Sequence, residues 1–143
     1  MSTTQFHPET VAEIEAAFYA AVARADVEAV MALWANDETV VCIHPGAPRL
    51  VGHASIRASW ESIFEQGGVQ IRPVQLHATR NAETAVHSII EEVHRSGTQR
   101  PDIHILATNV YMKTARGWRM VAHHASVVPG EAPPDEPAAS MLH

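Results

Sequence analysis

The order of two hydrophobic patterns along the chain limits the folds that it can adopt. In the first part, apolar residues recur every three or four positions over residues 8–25, again after the N-cap candidate Asp26, and again over about 53–66. This is the spacing of a buried helix face, so the first part predicts three helices. In the second part, long runs rich in β-branched residues alternate with turn-forming segments, which predicts four strands. These runs cover residues 69–80, 84–95, 102–115 and 117–129.

A further short strand is predicted between the second and third helices. Residues 39–43 are β-branched and apolar, and Pro45 favours an extended conformation at His44, so His44 is expected at the end of this strand. Residues 45–52 are expected to form a loop or a short hairpin arm. Because the helices precede the antiparallel strands, we predict an α+β fold, a cone-shaped roll of three N-terminal helices packed on a strongly curved, mostly antiparallel sheet. The open mouth of such a cone is a typical place for a small-molecule site.

Length and composition fit one globular domain. The chain has 143 residues, of which 46% are hydrophobic and 18% charged, and a chain of this size can bury a stable core without disulfides or metals. We expect residues 1–129 to form the domain and the Pro- and acid-rich residues 130–143 to form a C-terminal tail. The formal charge is −6, from 10 Lys and Arg against 16 Asp and Glu, which argues against binding of nucleic acid.

Other classes of protein are disfavoured by what the sequence lacks. Cys42 is the single cysteine, so neither an intramolecular disulfide nor a cysteine zinc cluster can form. The N-terminus shows no signal-peptide pattern, and no apolar run approaches the roughly 20 residues of a membrane-spanning helix. The sequence therefore predicts a cytoplasmic protein that does not enter membranes.

Three passages carry a resemblance to the nuclear transport factor 2-like (NTF2-like) superfamily. They are FYAAVARADVEAVMALWANDETVV over the first two helices, LVGHASIRASWESIF over the third, and TNVYMKTARGWRMVAHHASVVPG over the last two strands. The last passage is similar to the closing hairpin of SnoaL-like domains and of the association domain of calcium/calmodulin-dependent kinase II. The resemblance covers residues 8–129 and implies the cone-shaped fold. It does not decide function, because the superfamily includes ketosteroid isomerases, polyketide cyclases, dehydratases, ligand-binding modules and assembly domains.

The resemblance to ketosteroid isomerases implies roles for two residues. The isomerases end their first strand in a carboxylate that acts as general base. His44 stands at the matching position, where an imidazole can do the same work because its usual pKa is about 6.5. Asn109 stands where the isomerases place an oxyanion donor on the penultimate strand, and its amide can donate without a pKa shift. The alternatives are a strand-end histidine bonded to the backbone and a structural amide.

The first helix departs from the isomerase pattern. The resemblance puts Phe18 where the isomerases carry a second oxyanion donor, a tyrosine, while Tyr19 lies one residue further, about 100 degrees around the helix. Tyr19 is therefore not expected to replace that tyrosine, and steroid isomerase activity is disfavoured. Both side chains are still expected in the substrate-binding part of the cone, together with Trp60 and Phe64 of the third helix and Val121 of the last strand.

Two pairs of adjacent polar residues lie on predicted strands, where neighbours point to opposite faces. Of Glu91 and Glu92, and of His123 and His124, one member of each pair can enter the cone. The resemblance to the kinase association domain favours Glu91 and His123. A carboxyl group among apolar walls would have a raised pKa and could act as an acid or a base. The alternative for this carboxyl is an ion pair with an arginine.

Metal binding and nucleophilic catalysis have weaker support. His44, Glu91 and His123 could converge as a two-histidine, one-carboxylate set, but no His-x-x-x-His or His-Glu-x-x-His stretch exists. Neither a metal nor another cofactor is expected. Cys42 shares a strand face with His44, yet two residues along a strand span about 6–7 Å, so no direct bond is expected. Trp60 belongs to an apolar helix stripe that can pack in the core, contact a ligand, or do both.

The sequence leads to two kinds of hypothesis about function. The first is a cofactor-independent isomerase, cyclase or dehydratase that transfers protons on a small apolar carbonyl compound. There His44 is the base, Asn109 the oxyanion donor, and Glu91 or His123 returns the proton. The second is a non-catalytic ligand-binding or homo-oligomeric assembly domain. Apolar residues on the outer sheet face favour a homodimer. Any functional pH dependence between about pH 5.5 and 7.5 is expected to come from His44 or His123.

Overall fold

The structure is a computed structural model that describes residues 10–94, 101 and 103–129. These residues form three helices and six strands. The predicted tail, the first residues of the first predicted helix and parts of the segment between the second and third long strands lie outside the described residues. The helices are α1 Val11–Arg24, α2 Val27–Leu33 and α3 His53–Phe64, and the strands are β1 Val41–Ile43, β2 Leu50–Val51, β3 Gln70–Arg80, β4 Thr84–His94, β5 Ile103–Thr114 and β6 Gly117–Val128.

The strands form one sheet in the order β2-β1-β6-β5-β4-β3. Neighbouring strands are antiparallel except β1 and β6, which run parallel with Val41 opposite Ala122. The three helices pack on one face of this curved, unclosed sheet, which we call the inner face. The predicted α+β fold is confirmed, with a first strand two residues shorter than the sequence pattern suggested.

Side-chain caps fix where the first two helices begin. The Thr10 hydroxyl accepts a 3.1 Å hydrogen bond from the backbone of Glu13, and the Asp26 carboxylate accepts one of 3.0 Å from Ala29. Such caps satisfy backbone donors that the first turn leaves unpaired. Within the described residues, no helix is long and apolar enough to cross a membrane.

A close contact joins the end of α1 to the start of β3. A Cβ atom at Gly68 would overlap the backbone carbonyl of Ala23, so a residue with a side chain does not fit there. Next to it, the backbone of Val69 donates a 3.1 Å hydrogen bond to the carbonyl of Val22. The edge of the sheet is thereby held against α1, which fixes the distance between α1 and the inner face.

A β-bulge interrupts the last strand pair. Val110 lies opposite Ala122, whereas the next residue, Tyr111, lies opposite Met120. Val121 is the extra residue on β6, and the bulge shifts the alternation of inward and outward side chains at this point. The sequence gives no direct sign of this bulge.

Candidate active site

A cavity of about 330 Å³ lies between α1, α3 and the inner face of the sheet. Of its fourteen lining residues, eleven are apolar and three are titratable, namely His44, Glu91 and His123. None of the described lysines or arginines lines it. A concave, mostly apolar space with a few converging polar groups is the usual form of a small-molecule site. The apolar lining residues are Phe18, Val22, Pro45, Trp60, Ile63, Val69, Ile71, Val93, Ile103, Ile105 and Ala125.

Glu91 on β4 is the acid of the cavity. The residue is 3% exposed, and the hydroxyl of Tyr19 on α1 donates a 2.6 Å hydrogen bond to Glu91 Oε2. Burial raises the pKa of Glu91 to about 7, against the lowering effect of the Tyr19 bond and with a smaller raising effect from the carboxyl of Glu15. Near neutral pH this carboxyl is therefore present in both forms and can give or take a proton.

His44 lies directly after β1 and is partly buried at the cavity wall. The Ser59 hydroxyl donates to the carbonyl of Ile56 at 2.6 Å, so its oxygen accepts from His44 Nε2, which lies 2.9 Å away. The free lone pair of the neutral ring is then on Nδ1. Because desolvation lowers the pKa of His44, the ring is neutral at pH 7 and Nδ1 can take up a proton.

The sequence-based distance between Cys42 and His44 is wrong. Cys42 Sγ lies 3.7 Å from His44 Nε2. His44 follows the end of β1, so its ring is not held perpendicular to the sheet and can turn back towards the thiol. Burial raises the pKa of Cys42 to about 12, so the thiol stays protonated and is not a nucleophile at neutral pH.

His123 on β6 presents an unprotonated nitrogen to the cavity. Its Nδ1 lies 2.6 Å from Asn109 Oδ1, and since an amide oxygen only accepts, Nδ1 carries the hydrogen and Nε2 the lone pair. Burial, helped by the nearby rings of His44 and His124, lowers the pKa of His123 to about 3. A pKa of about 3 lies outside the range of about pH 5.5 to 7.5 in which His44 or His123 was expected to act, whereas the pKa of Glu91, about 7, lies inside it.

Trp60 on α3 lines the cavity and carries an unpaired hydrogen-bond donor. Its ring packs edge-on against Phe18 and His44, with ring centroids 5.8 and 4.9 Å apart. The residue is 5% exposed, and its indole N–H is buried with no hydrogen-bond partner among the described residues. An unpaired buried donor costs about 1–3 kcal/mol. A ligand that places an acceptor near this N–H would remove that cost.

Glu15 on α1 is the centre of a buried polar cluster behind the cavity. Its Oε2 atom accepts a 2.5 Å hydrogen bond from the hydroxyl of Tyr111 and one of 3.3 Å from Asn109 Nδ2. His87 Nδ1 lies 2.9 Å from the same oxygen. Three donors from two neighbouring strands therefore converge on one carboxylate oxygen, which compensates for its removal from water.

Asn109 on β5 joins this cluster to the cavity residues. Besides Glu15, its Nδ2 donates to the hydroxyl of Tyr19 at 3.2 Å, and Tyr19 in turn donates to Glu91. Its Oδ1 accepts from His123. Asn109 is 0% exposed and does not line the cavity. With both amide hydrogens directed at protein acceptors, Asn109 lies behind the cavity and does not reach a ligand as the expected oxyanion donor.

The remaining predicted binding residues take different positions. Phe18 lines the cavity, whereas Tyr19 lies behind Glu91 and contributes its hydroxyl to the network. Phe64 packs on Trp60, with centroids 5.3 Å apart, and does not line the cavity. Val121, predicted as a lining residue, does not line it either and packs against the hydrophobic core.

Two members of the polar cluster were missed in the sequence, although signals for them exist. Glu15 precedes Phe18 and Tyr19 by three and four residues, so it shares their face of α1. Tyr111 follows Asn109 by two residues and therefore shares its face of β5. A carboxylate on the apolar face of a helix is a sign of a buried polar partner.

The alternative of a metal site gains no support from the geometry. His44, Glu91 and His123 do line the same cavity. Across residues 10–94, 101 and 103–129, however, no group of three or more His, Cys, Asp or Glu side chains is placed to hold a metal ion.

Comparisons with known proteins agree with this architecture. Similar solved structures include a proposed calcium/calmodulin-dependent protein kinase type II association domain from Thiobacillus denitrificans ATCC 25259, with 39% identity and a TM-score of 0.79 over 87% of this chain and 99% of that chain. A proposed dehydratase of the NTF2-like family from Streptomyces avermitilis has 30% identity and a TM-score of 0.74, over 84% and 94% of the two chains. An NTF2-like protein of unknown function from Pseudomonas putida KT2440, at 18% identity and a TM-score of 0.72 over 81% and 82%, shares the fold.

The family assignment follows from a match over most of the chain. The comparison with curated proteins found no match. The family model described as a SnoaL-like domain matches residues 11–130, and the resemblance seen in the sequence is confirmed. The chain belongs to the SnoaL-like family of NTF2-like domains.

Proposed function

We propose that this chain is a cofactor-independent enzyme that transfers protons on a small, neutral carbonyl compound. The observation that carries the proposal is the pairing of two groups in one apolar cavity. Glu91 has a pKa of about 7, and His44 has a lowered pKa that keeps its ring neutral at pH 7. An acid and a base that are both in their active forms near the working pH are what general acid–base catalysis requires.

The cavity supports a compact and uncharged ligand. Its volume of about 330 Å³ is at the small end of the usual range of ligand pockets, about 300–1,000 Å³. Its walls are apolar, and the described residues that line it include no lysine or arginine to compensate the charge of a carboxylate ligand. Glu91, in its ionised form, would repel such an anion rather than bind it.

The proposed reaction uses one proton acceptor and one proton donor. His44 Nδ1 takes a proton from the carbon next to the carbonyl group, and the electron pair of the broken C–H bond moves into an enolate. The N–H of Trp60 donates to the developing negative oxygen. Protonated Glu91 then returns a proton, either to another carbon in an isomerisation or to a departing hydroxyl group in a dehydration.

The similar structures support this class and also point to its alternative. The protein with 30% identity is described as a proposed dehydratase, which is one of the reactions open to this pair of groups. The protein with 39% identity is described as a proposed association domain. A purely ligand-binding or assembly role is therefore the alternative that an experiment must separate from catalysis.

Exchange of hydrogen for deuterium tests the chemical step without knowledge of the product. We would incubate the protein in D₂O with a panel of small neutral ketones and follow deuterium at the carbon next to the carbonyl by NMR. Wild-type protein should accelerate exchange, and His44→Gln should lower the rate by about 100-fold or more at an unchanged melting temperature. The matched control is His124→Gln, an exposed site outside the cavity. Binding of a ketone without accelerated exchange would support the non-catalytic alternative.

The pH dependence of the exchange rate gives a second check. The rate should fall at low pH as His44 becomes protonated, below its usual pKa of about 6.5 because burial lowers that pKa. Turnover of a substrate also needs protonated Glu91, so turnover should fall above about pH 7 as well. A turnover rate that is flat from pH 5 to 9 would contradict the assignment of both groups.

We also propose that the chain forms a homodimer through the outer face of the sheet. This face carries the exposed apolar side chains Val86, Leu106 and Met112, which are 37%, 44% and 45% exposed. They lie on the adjacent strands β4 and β5, and contiguous exposed apolar surface is typical of protein interfaces. Light scattering should give a mass near twice 15.6 kDa, and Leu106→Asp should reduce it to that of the monomer.

A further inference from the structure

In the hydrogen bonds behind the cavity, Glu15 determines which atom of each pair donates and which accepts. A carboxylate has acceptors and no donor, whereas an amide has one end of each kind and can present either. Glu15 Oε2 accepts from Asn109 Nδ2 at 3.3 Å. If the Asn109 amide were turned over, its oxygen would face the carboxylate oxygen of Glu15, and two buried acceptors would repel each other. Glu15 therefore determines which end of Asn109 faces which neighbour.

Glu15 is itself held in place by other donors. The Tyr111 hydroxyl lies 2.5 Å and His87 Nδ1 lies 2.9 Å from its Oε2 atom. Since both partners come from the sheet and Glu15 comes from α1, the helix and the sheet must be packed together for this orientation to exist. The donor and acceptor roles in these hydrogen bonds therefore depend on the packing of α1 on the sheet. No single segment of the chain sets them.

The fixed amide has a consequence at each of its two ends. Asn109 Oδ1 faces His123 Nδ1 at 2.6 Å, which requires the hydrogen to be on Nδ1. Nε2, the other nitrogen of this cavity-lining residue, has no hydrogen-bond partner among the described residues. Asn109 Nδ2 faces the oxygen of Tyr19 at 3.2 Å, so the hydroxyl hydrogen of Tyr19 is directed to Glu91.

We infer that Glu15 is a positioning residue that, through Asn109, holds His123 in its Nδ1–H tautomer, so that the cavity selects ligands with a hydroxyl group able to donate to His123 Nε2. Glu15 does not line the cavity and acts on the ligand through two intervening side chains. The site offers such a ligand one acceptor at His123 and one donor at Trp60. The ligand class is then a neutral hydroxy-carbonyl compound. The choice of a carbonyl rests on the proposed function, whereas the tautomer does not.

The tautomer can be read by NMR in the protein without ligand or turnover. In protein labelled with ¹⁵N in its histidines, the two ring nitrogens of His123 should show a hydrogen on Nδ1 and none on Nε2 at pH 7. Glu15→Leu removes the acceptor that orients Asn109, so the amide is free to turn over. In this variant we expect a substantial population of the Nε2–H form. Glu92→Gln, on the other face of the sheet, is the matched control and should leave the tautomer unchanged.

Two results would overturn the inference. One is a wild-type His123 with its hydrogen on Nε2, and the other is a folded Glu15→Leu protein with the tautomer of the wild type. A second measurement does not depend on the variant folding. In wild-type protein, the side-chain amide hydrogens of Asn109 should show stronger nuclear Overhauser contacts to Tyr19 than to the ring of His123. Stronger contacts to His123 would show the opposite amide orientation and would also overturn the inference.

A pair of probes tests the ligand class. We would measure the binding of 4-hydroxyacetophenone and acetophenone, which differ in one hydroxyl group. A net hydrogen bond corresponds to about a 2- to 10-fold difference in affinity, so the hydroxylated probe should bind tighter by that factor. The difference should vanish in Glu15→Leu. Equal affinities in the wild type, or no binding of either probe, would overturn the proposed ligand class. The tautomer of His123 would then be judged by the NMR measurement alone. Binding without deuterium exchange would count against the proposed catalysis alone.

Discussion

Glu91 and Glu92 are neighbours on β4, yet the two faces of the sheet give them opposite surroundings. Glu91 points to the inner face, where apolar walls surround it and Tyr19 is its hydrogen-bond donor. Glu92 points to the outer face, where Arg72 Nε lies 3.0 Å from its Oε1 atom, and the rings of His94 and His104 lie 3.8 and 3.7 Å from its carboxylate oxygens.

The comparison shows how one residue type serves chemistry on one face and surface electrostatics on the other. A carboxyl group that exchanges water for apolar side chains favours its neutral form, which is why the pKa of Glu91 rises to about 7. A carboxyl group beside a guanidinium keeps its charge and gains little net energy where water screens the pair. Replacing each glutamate by glutamine changes the charge with little change in shape. Comparing the two variants therefore isolates the effect of the surroundings on each face of the sheet.

The largest expected difference between the two variants is in catalysis. Glu91→Gln cannot return a proton, so isomerisation or dehydration of a substrate that wild-type protein turns over should fall by about 10²- to 10⁴-fold. Glu92→Gln should stay within about 2-fold of wild type, because its side chain does not line the cavity. Equal rates for the two variants would remove Glu91 from the mechanism.

The next effect is on the pH dependence of stability. The folded pKa of Glu91, about 7, is above its usual value of 4.5, so the unfolded state releases this proton first. Between pH 4.5 and 7 the unfolded chain binds fewer protons at this site, and the free energy of unfolding should fall as the pH rises. By pH 8 the free energy of unfolding should have fallen by about 3 kcal/mol in total.

Urea unfolding at pH 5 and pH 8 measures this effect. Glu91→Gln can still accept the Tyr19 hydrogen bond and has no charge to bury, so it should become more stable than wild type at pH 8. Glu92→Gln should follow the pH dependence of the wild type. If Glu91→Gln were less stable than wild type at pH 8 as well as at pH 5, an ionised Glu91 would have to be stabilised by the fold.

The smallest expected effect is the loss of the outer ion pair. The Arg72 side chain is 69% exposed, and exposed pairs contribute about 0–1 kcal/mol. Glu92→Gln should therefore lower the free energy of unfolding by no more than this amount, and the difference should shrink in 1 M salt, where screening is strong. A salt-independent loss above about 2 kcal/mol would mean that Glu92 acts as a buried charge.

The fold could be predicted from the sequence because its signals are local and repeated. Three stretches with helical spacing, four long β-branched runs and the turn residues between them fix the elements and their order. Strand alternation also separates Glu91 from Glu92 and His123 from His124, since neighbours must point to opposite faces. Alternation does not say which member of each pair faces the inside of the cone. The family resemblance indicated that Glu91 and His123 do.

Other parts of the candidate site depend on contacts between distant segments. A single extra residue in β6 shifts the alternation at Val121, which packs against the hydrophobic core and does not line the cavity. The distance from Cys42 to His44 was wrong because it depends on the side-chain angle of a residue beyond the strand. Tyr19 reaches Glu91, 72 residues away, because the buried face of α1 is wide enough to hold both aromatic residues.

The sequence by itself determined the elements, their order and the residue types available to a cavity, because periodicity and turn chemistry act over a few neighbouring residues. The tertiary structure alone decided how the polar side chains connect. The carboxylate of Glu15 on α1 meets Asn109 and Tyr111 of β5 only when the helix lies on the sheet. That packing removes water, so each buried donor must find an acceptor, and the direction of the resulting hydrogen bonds fixes what Glu91 and His123 present to a ligand.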